Sequence, residues 1–302
     1  MQGRIIRGIA GFYYVYIEGI GILECKAKGI FRKNKLKPLV GDLVEALILD
    51  EEKKLGNISR VLERRNELIR PAVANIDQAL VIFAVKRPEP NLNLLDRFLL
   101  MMEQKNIPCI LVFNKMDLAT QEDIIKLENI YGKTGYRLCF VSAAQQQGME
   151  KLEAYLRNKT TAVAGPSGVG KSSIINLLQS EVSMETGEIS ERIERGKHTT
   201  RHTEFIPMGE NTFIMDTPGF STLMIFSMDK EELELFYPEF NNYRDSCRFH
   251  GCSHTHEPDC AIKQAVKEGK IAKERYESYC QIFEELKQKK PYHTNPRGYV
   301  SK

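Results

Sequence analysis

The sequence has no tryptophan in its 302 residues. No stretch approaches the roughly 20 consecutive apolar residues that a membrane-spanning helix needs. The opening residues, Met-Gln-Gly-Arg-Ile-Ile-Arg, carry no apolar leader core. Nor does one charge dominate, since 43 Lys and Arg face 40 Asp and Glu for a net +3. These absences predict a cytoplasmic chain with no membrane partner, and they exclude a polycation over its whole surface. In that compartment thiols stay reduced, so the seven cysteines do not imply disulfides. Cys25, Cys109 and Cys139 sit in apolar runs and read as core, and Cys280 stands alone. The remaining three crowd into residues 247–260, and that clustering asks for a metal.

What is present is unevenly distributed. Residues 1–70 hold 14 Lys and Arg against 9 Asp and Glu, and residues 263–302 hold 10 against 5. Both ends are therefore basic, which suits a phosphate-rich partner such as RNA and equally suits a solvated surface. Over 1–68, apolar runs of strand length at 11–17, 21–27, 42–49 and 56–62 are separated by Gly, Asn and Pro. About five short strands in this space predict a small barrel such as an OB-fold, with a basic tip at 32–37. After Arg70-Pro71 the pattern changes. Apolar strands at 79–85, 108–113, 136–141, 160–164 and 212–215 alternate with helical segments at 92–104, 122–131, 149–159 and 171–178. This predicts a parallel sheet with helices on both faces over 69–224. Residues 225–302 read as charged and helical around the Cys/His knot, ending in a polar, mobile tail.

Three motifs of the middle part carry the phosphate and metal chemistry. Gly165-Pro166-Ser167-Gly168-Val169-Gly170-Lys171-Ser172 fits the G-x-x-x-x-G-K-[ST] phosphate cradle, follows a strand and opens a helix with Ser173. Its glycines let backbone N–H groups converge on phosphates, and the helix start adds a favourable dipole. Lys171 is expected to bridge the β- and γ-phosphates, with Ser172 on Mg²⁺. Asp216-Thr217-Pro218-Gly219 follows an apolar strand, as a metal-side Asp and a γ-phosphate-sensing Gly should. Between these motifs, Arg195-Gly196-Lys197-His198-Thr199-Thr200-Arg201-His202 is the place for a first switch, with Thr200 the preferred magnesium ligand and Thr199 the second choice.

Asn114-Lys115-Met116-Asp117 ends an earlier apolar strand. A carboxylate at Asp117 can accept from both N1–H and N2–H₂ of guanine, which adenine cannot supply, so GTP is favoured over ATP. Asn114 is expected to tie loops together and Lys115 to lie along the base. Ser142 and Ala143 end the next strand, where a backbone N–H meets guanine O6. The base reader thus precedes the phosphate loop, although in ordinary GTPases it comes last. The parts are complete but circularly rotated.

Cys247, Cys252 and Cys260 supply three thiolates within fourteen residues, and His250, His254 and His256 compete for a fourth, imidazole position. A Cys₃His set matches one closed, structural zinc.

The order of these motifs resembles the circularly permuted, ribosome small-subunit-dependent GTPases of the RsgA/YjeQ/YloQ family. The resemblance extends over essentially the whole chain. It includes the linker residues Arg65, Asn66, Leu68, Arg70, Pro71, Ala74, Asn75, Ile76, Asp77 and Gln78. It implies a multidomain α/β protein: an N-terminal OB-fold that binds RNA (1–68), a permuted P-loop GTPase domain (69–224) and a helical zinc domain (225–302). It selects His254 as the fourth zinc ligand. Its implied partners are GTP/GDP, the small (30S) ribosomal subunit and 16S rRNA, for a monomeric late assembly factor whose hydrolysis the subunit stimulates. Phe220 stands where Ras-like enzymes carry a water-orienting Gln. The resemblance points instead to His198, with Lys171 and Thr200 completing the catalytic set. In this order the phosphate sensor leads directly into the zinc domain, which predicts that GTP state is coupled to that domain's position.

Overall fold

The computed structural model describes residues 1–27, 36–69, 72–186, 203–209, 211–216 and 228–288. Residues 32–35 of the basic tip, Arg70-Pro71, the switch segment with His198, Thr199 and Thr200, Thr217 to Phe220, and the polar tail lie outside the described residues.

The N-terminal strands β1 (Gln2–Ile9), β2 (Phe12–Ile17), β3 (Gly21–Ala27), β4 (Leu43–Asp50) and β5 (Leu55–Val61) form a closed barrel. Neighbours run β1-β2-β3-β5-β4, and β4 returns to pair with β1 at Gln2↔Glu45 and Arg4↔Leu43. The β3–β5 pair is parallel and the others antiparallel. Alternation sends Ile5, Val15, Leu23, Cys25, Val44 and Ile58 inward as a fully buried core. The first strand escapes an apolar-run reading because Arg4 and Arg7 interrupt its pattern.

A short hairpin, β6 (Glu67–Ile69) and β7 (Ala72–Ala74), leads to the α/β part. There β8 (Gln78–Ala84), β9 (Cys109–Asn114), β10 (Arg137–Phe140), β11 (Thr160–Ala164) and β13 (Phe213–Asp216) lie parallel in the order β10-β9-β8-β11-β13. Antiparallel β12 (Glu204–Pro207) follows β13. The central strands are buried along their whole length, as helices covering both faces require. One face of β8 (Leu80, Ile82, Ala84) packs with α3 (Met149–Leu156) and α4 (Lys171–Thr186). From the other face Phe83 meets Phe98 of α1 (Leu92–Gln104) edge-on, with centroids 6.0 Å apart. Helix α2 (Gln121–Tyr131) joins β9 to β10.

The outer edge of β12 is covered by barrel strand β1, with Arg7 opposite Glu204 and their side chains 3.5 Å apart. Covering an edge strand in this way removes its unpaired backbone groups. Barrel and α/β sheet therefore run on as one eleven-stranded sheet. Tyr16 packs edge-on against Phe213 (5.6 Å), and Arg4 lies 5.2 Å from the same ring. The linker explains the residues noted there. Asn66 and Ile76 exchange two hydrogen bonds at 2.8 and 2.9 Å, Arg65 pairs with Asp77 at 2.7 Å, and Asn75 donates to the Gly41 carbonyl at 3.1 Å. Gly41 has φ +95°, and a Cβ there would lie 2.0 Å from the Ala74 carbonyl oxygen. Met1–Glu128 and Tyr136–Met224 form one compact unit.

The second unit comprises Asn129–Gly135 and Ile225–Lys302. It contains 3₁₀ helices at Lys230–Phe236, Pro238–Phe240 and Arg244–Ser246, then α5 (Ala261–Lys267) and α6 (Lys273–Gln288). Its core is aromatic, with Tyr237, Phe240 and Tyr279 in mutual ring contact and Phe283 stacked on Tyr279. Arg275 is buried within it, paired to Glu239 at 2.7 Å and lying 4.5 Å from the Tyr237 ring centroid.

Candidate nucleotide site and metal centre

The phosphate loop joins the end of β11 to the first turn of α4. Gly165 has φ +138°, and a Cβ on it would strike the Ile82 carbonyl at 2.1 Å. Gly170 has φ +93°, and its Cβ would fall 2.3 Å from Asn114 Nδ2. Both glycines are demanded by backbone conformation and by close approach. Val169 is buried in the core beneath the loop, while Ser167, Gly168, Ser172 and Ser173 are exposed along its rim and Pro166 is half-buried. Lys171 Nζ donates to the carbonyls of Gly165 (2.9 Å) and Pro166 (2.6 Å), which holds the ammonium over the loop. The α4 N-terminus, with Ser172 in its first turn, adds its dipole at the same place. Asp216 ends β13, which runs parallel to β11, so Asp216 and the phosphate loop share one edge of the sheet.

The residues expected to read the base lie around the end of β9. Asn114 is buried at the end of β9. Its Nδ2 donates to Val169 O at 2.8 Å and its Oδ1 accepts from Ala143 N–H at 3.0 Å. It thereby joins the phosphate loop to the Ser142-Ala143 loop. Lys115 adopts φ +63° and spans to the carbonyls of Gly168 (2.7 Å) and Arg87 (2.6 Å). Met116 N–H donates to Val141 O at 3.1 Å, fixing the turn that presents Asp117. Buried Ser142 donates its hydroxyl to Asp117 Oδ1 and accepts from Gln145 N–H. From the sequence, Ser142 is expected only to contribute to a backbone loop. Its hydroxyl also orients the Asp117 carboxylate, and the hint is its polar character at the end of a strand.

In the second unit, the ligating atoms of Cys247, Cys252, His254 and Cys260 all lie within 4.8 Å of one another. Tetrahedral zinc, with Zn–S about 2.3 Å and Zn–N about 2.0–2.1 Å, separates its sulfurs by about 3.8 Å and sulfur from nitrogen by about 3.5 Å. The Cys247–Cys260 sulfurs are 3.9 Å apart, and His254 Nδ1 lies 3.5 and 3.3 Å from them. The donor set thus fits zinc in both chemistry and spacing. His250 and His256 are exposed outside it, and His256 Nδ1 is engaged with Thr255 Oγ1 at 2.8 Å. Burial first, then the neighbouring thiols, pushes Cys252 up to about 12 and raises Cys260 as well. A cation among these sulfurs reverses that tendency, which is what a thiolate centre needs.

A family model described as RsgA GTPase matches residues 61–226, and one described as RsgA N-terminal domain matches residues 2–58. The chain belongs to the RsgA GTPase family. One relative, Small ribosomal subunit biogenesis GTPase RsgA of Agathobacter rectalis, is 56% identical over 302 residues, covering 97% of this chain and 100% of that protein. Its namesake in Caldanaerobacter subterraneus subsp. tengcongensis is 48% identical over 289 residues, covering 96% and 97%. The crystal structure of YjeQ from Thermotoga maritima superposes with a TM-score of 0.82 at 35% identity, covering 96% of this chain and 99% of that one. The structure of YloQ, a circularly permuted GTPase, gives 0.79 at 37% identity with 96% coverage of each. As an RsgA-family enzyme the chain is a hydrolase acting on GTP. It joins an OB-type barrel to a circularly permuted P-loop GTPase domain, followed by a helical part whose connecting segment 247–260 carries the Cys₃His cluster.

Proposed function

We propose that this chain hydrolyses GTP under stimulation by the small (30S) ribosomal subunit, as a late-stage assembly factor that contacts 16S rRNA. The observation that carries the nucleotide half is the Asn114 bridge, which ties the Ser142-Ala143 loop to the phosphate loop. The ribosomal half is supported by the relatives, named for small ribosomal subunit biogenesis and alike over nearly their whole length. We assign RNA contact to the barrel (1–68), nucleotide chemistry to 69–224 and zinc binding to 225–302, in a monomeric cytoplasmic protein.

The division of labour follows from the residues. Asp117, Asn114, Lys115, Met116, Ser142 and Ala143 bind and orient guanine. Backbone N–H groups from Gly165 through Ser173, except at Pro166, which has none, hold the phosphates, and Lys171 bridges the β- and γ-groups. Ser172, Asp216 and Thr200 would hold Mg²⁺, which supplies charge neutralisation between phosphate oxygens. Gly219 senses the γ-phosphate. Phe220 can neither orient water nor stabilise charge, so His198, through an unprotonated ring nitrogen, accepts from the attacking water when the subunit is bound. Cys247, Cys252, His254 and Cys260 would hold one structural zinc.

The deciding experiment is the GTPase rate with and without purified small subunits, at low and moderate salt. The expected result is a large stimulation that declines as salt rises, because electrostatic RNA binding is salt-dependent. No stimulation at any salt would refute the ribosomal assignment. His198→Ala should retain GTP binding and lose stimulated turnover; normal stimulated turnover would rule His198 out.

A further inference from the structure

We propose that Glu234 is a positioning residue of the metal centre. It holds His254 as an Nδ1 ligand and fastens the Lys230–Phe236 3₁₀ helix to the metal. The proposal rests on the zinc reading above.

The geometry is directional. His254 is 1% exposed, and its two ring nitrogens face different groups. Nδ1 looks at the sulfurs of Cys247 and Cys260 (3.5 and 3.3 Å), while Nε2 meets Glu234 Oε2 in a short contact. An ionised carboxylate only accepts hydrogen bonds, so the proton of a neutral imidazole belongs on Nε2. The lone pair is then on Nδ1, aimed into the thiol cluster, and the tautomer is the one a metal requires.

The rest of the unit leaves the ring little choice of orientation. The His254 backbone has φ +58°, and its carbonyl accepts from Tyr276 OH at 2.7 Å. Phe240 packs edge-on against the imidazole, and Tyr279 lies 6.2 Å from it. Glu234 itself is aimed by its own helix. Asp229 and Glu232 form a reciprocal capping box at the helix start, and Leu233 is fully buried. With that register set, the adjacent Glu234 side chain faces the ring at 27% exposure.

The consequence reaches along the chain. Lys230–Phe236 is the first described helical element after residues 217–227, which follow Asp216 and include the expected phosphate sensor Gly219. Each of the four ligands comes from residues 247–260. Glu234 is therefore the link by which a metal bound there holds a segment just downstream of the sensor.

The test uses the full-length protein with Glu234→Gln and Glu234→Ala. Zinc content of the wild type is measured first, then zinc affinity by competition with a chromophoric chelator. Outer-sphere partners of ligating histidines typically change affinity by about 10–100-fold, so Glu234→Ala should lose that much. Glu234→Gln keeps an acceptor and should lie closer to wild type. Hydrogen exchange of amides in 230–236 should quicken in the zinc-loaded Ala variant while exchange in α6 stays unchanged. If the Ala variant fails to fold, long-range ¹H–¹⁵N correlation on the zinc-loaded wild type still decides, because it shows which His254 nitrogen carries the proton. A wild type without bound zinc overturns the metal reading itself. A zinc-loaded wild type with ligation through Nε2, or an Ala variant of equal affinity, overturns the role of Glu234 alone.

Discussion

Asn114 Nδ2 donates to the carbonyl of Val169 at 2.8 Å, across 55 residues of chain and between the two motifs whose order is reversed. Both residues stand at or beyond C-terminal strand ends on one edge of a parallel sheet. That edge is set by strand neighbours (β9-β8-β11), and strand adjacency is indifferent to which motif the chain reaches first. The permutation is tolerated because the site is made of strand ends.

Removing this tie should therefore damage binding without unfolding the sheet. Asn114→Ala leaves the Val169 carbonyl and the Ala143 N–H unpaired, at about 1–3 kcal/mol each where they are buried. GTP affinity is expected to fall at least tenfold in a fluorescent-nucleotide titration. Affinity within twofold of wild type would count against the bridge.

Asp117 is oriented by the Ser142 hydroxyl. Asp117→Asn places an amide donor where guanine presents its own N2 donors, and GTP should weaken by roughly a hundredfold or more. Xanthosine triphosphate, with an acceptor oxygen at that position, should gain. Nucleotide competition reads both changes, and an unchanged GTP-to-XTP preference would remove Asp117 from base recognition.

Gly41 sits where barrel, linker and β12 converge, at φ +95° with a Cβ position 2.0 Å from Ala74 O and 2.9 Å from the Phe205 ring. Gly41→Ala must shift backbone, so a loss of roughly 2 kcal/mol or more is expected in denaturant unfolding. A loss below about 0.5 kcal/mol would mean that the junction yields freely.

Zinc removal should act locally. Chelation is expected to abolish the near-ultraviolet signal of the Tyr237, Phe240 and Tyr279 cluster around His254, because metal binding and folding of such a unit are linked. GTP binding, which uses residues of the other unit, should persist. Simultaneous loss of both would show that the two units depend on one another.

Asp123 accepts from Thr120 N–H at 2.9 Å and pairs with Lys86 at 3.0 Å near the start of α2. The Thr120 backbone, then Lys86, holds its carboxyl down to about 2 from the usual 3.8. A depressed folded value adds stability that is present above pH 3.8 and is lost as pH falls toward 2. Asp123→Asn should flatten the acid side of a stability–pH profile in that window only, weakly because the group is exposed.

Local demands were legible in the linear chain. The glycines at 165 and 170 answer to backbone conformation, and the continuous apolar runs of β8, β9 and β11 answer to burial on both faces. The Cys and His spacing answers to four bonds around one ion. Each of these constraints acts over a few residues, so the motifs, the strand–helix alternation and the permuted order could be read directly. The tertiary structure alone decided what depends on distant partners. Arg4 and Arg7 disguise β1 as a polar segment until β12 meets its edge and Phe213 meets Arg4. Arg275 looks like a surface charge until Glu239, 36 residues earlier, neutralises it in the core. Glu234 is one acid among many until a ring nitrogen twenty residues away faces it. A side chain's type and short-range spacing state what it can do, but its partner is chosen only when the chain closes and burial makes an unpaired charge or polar group too costly to leave.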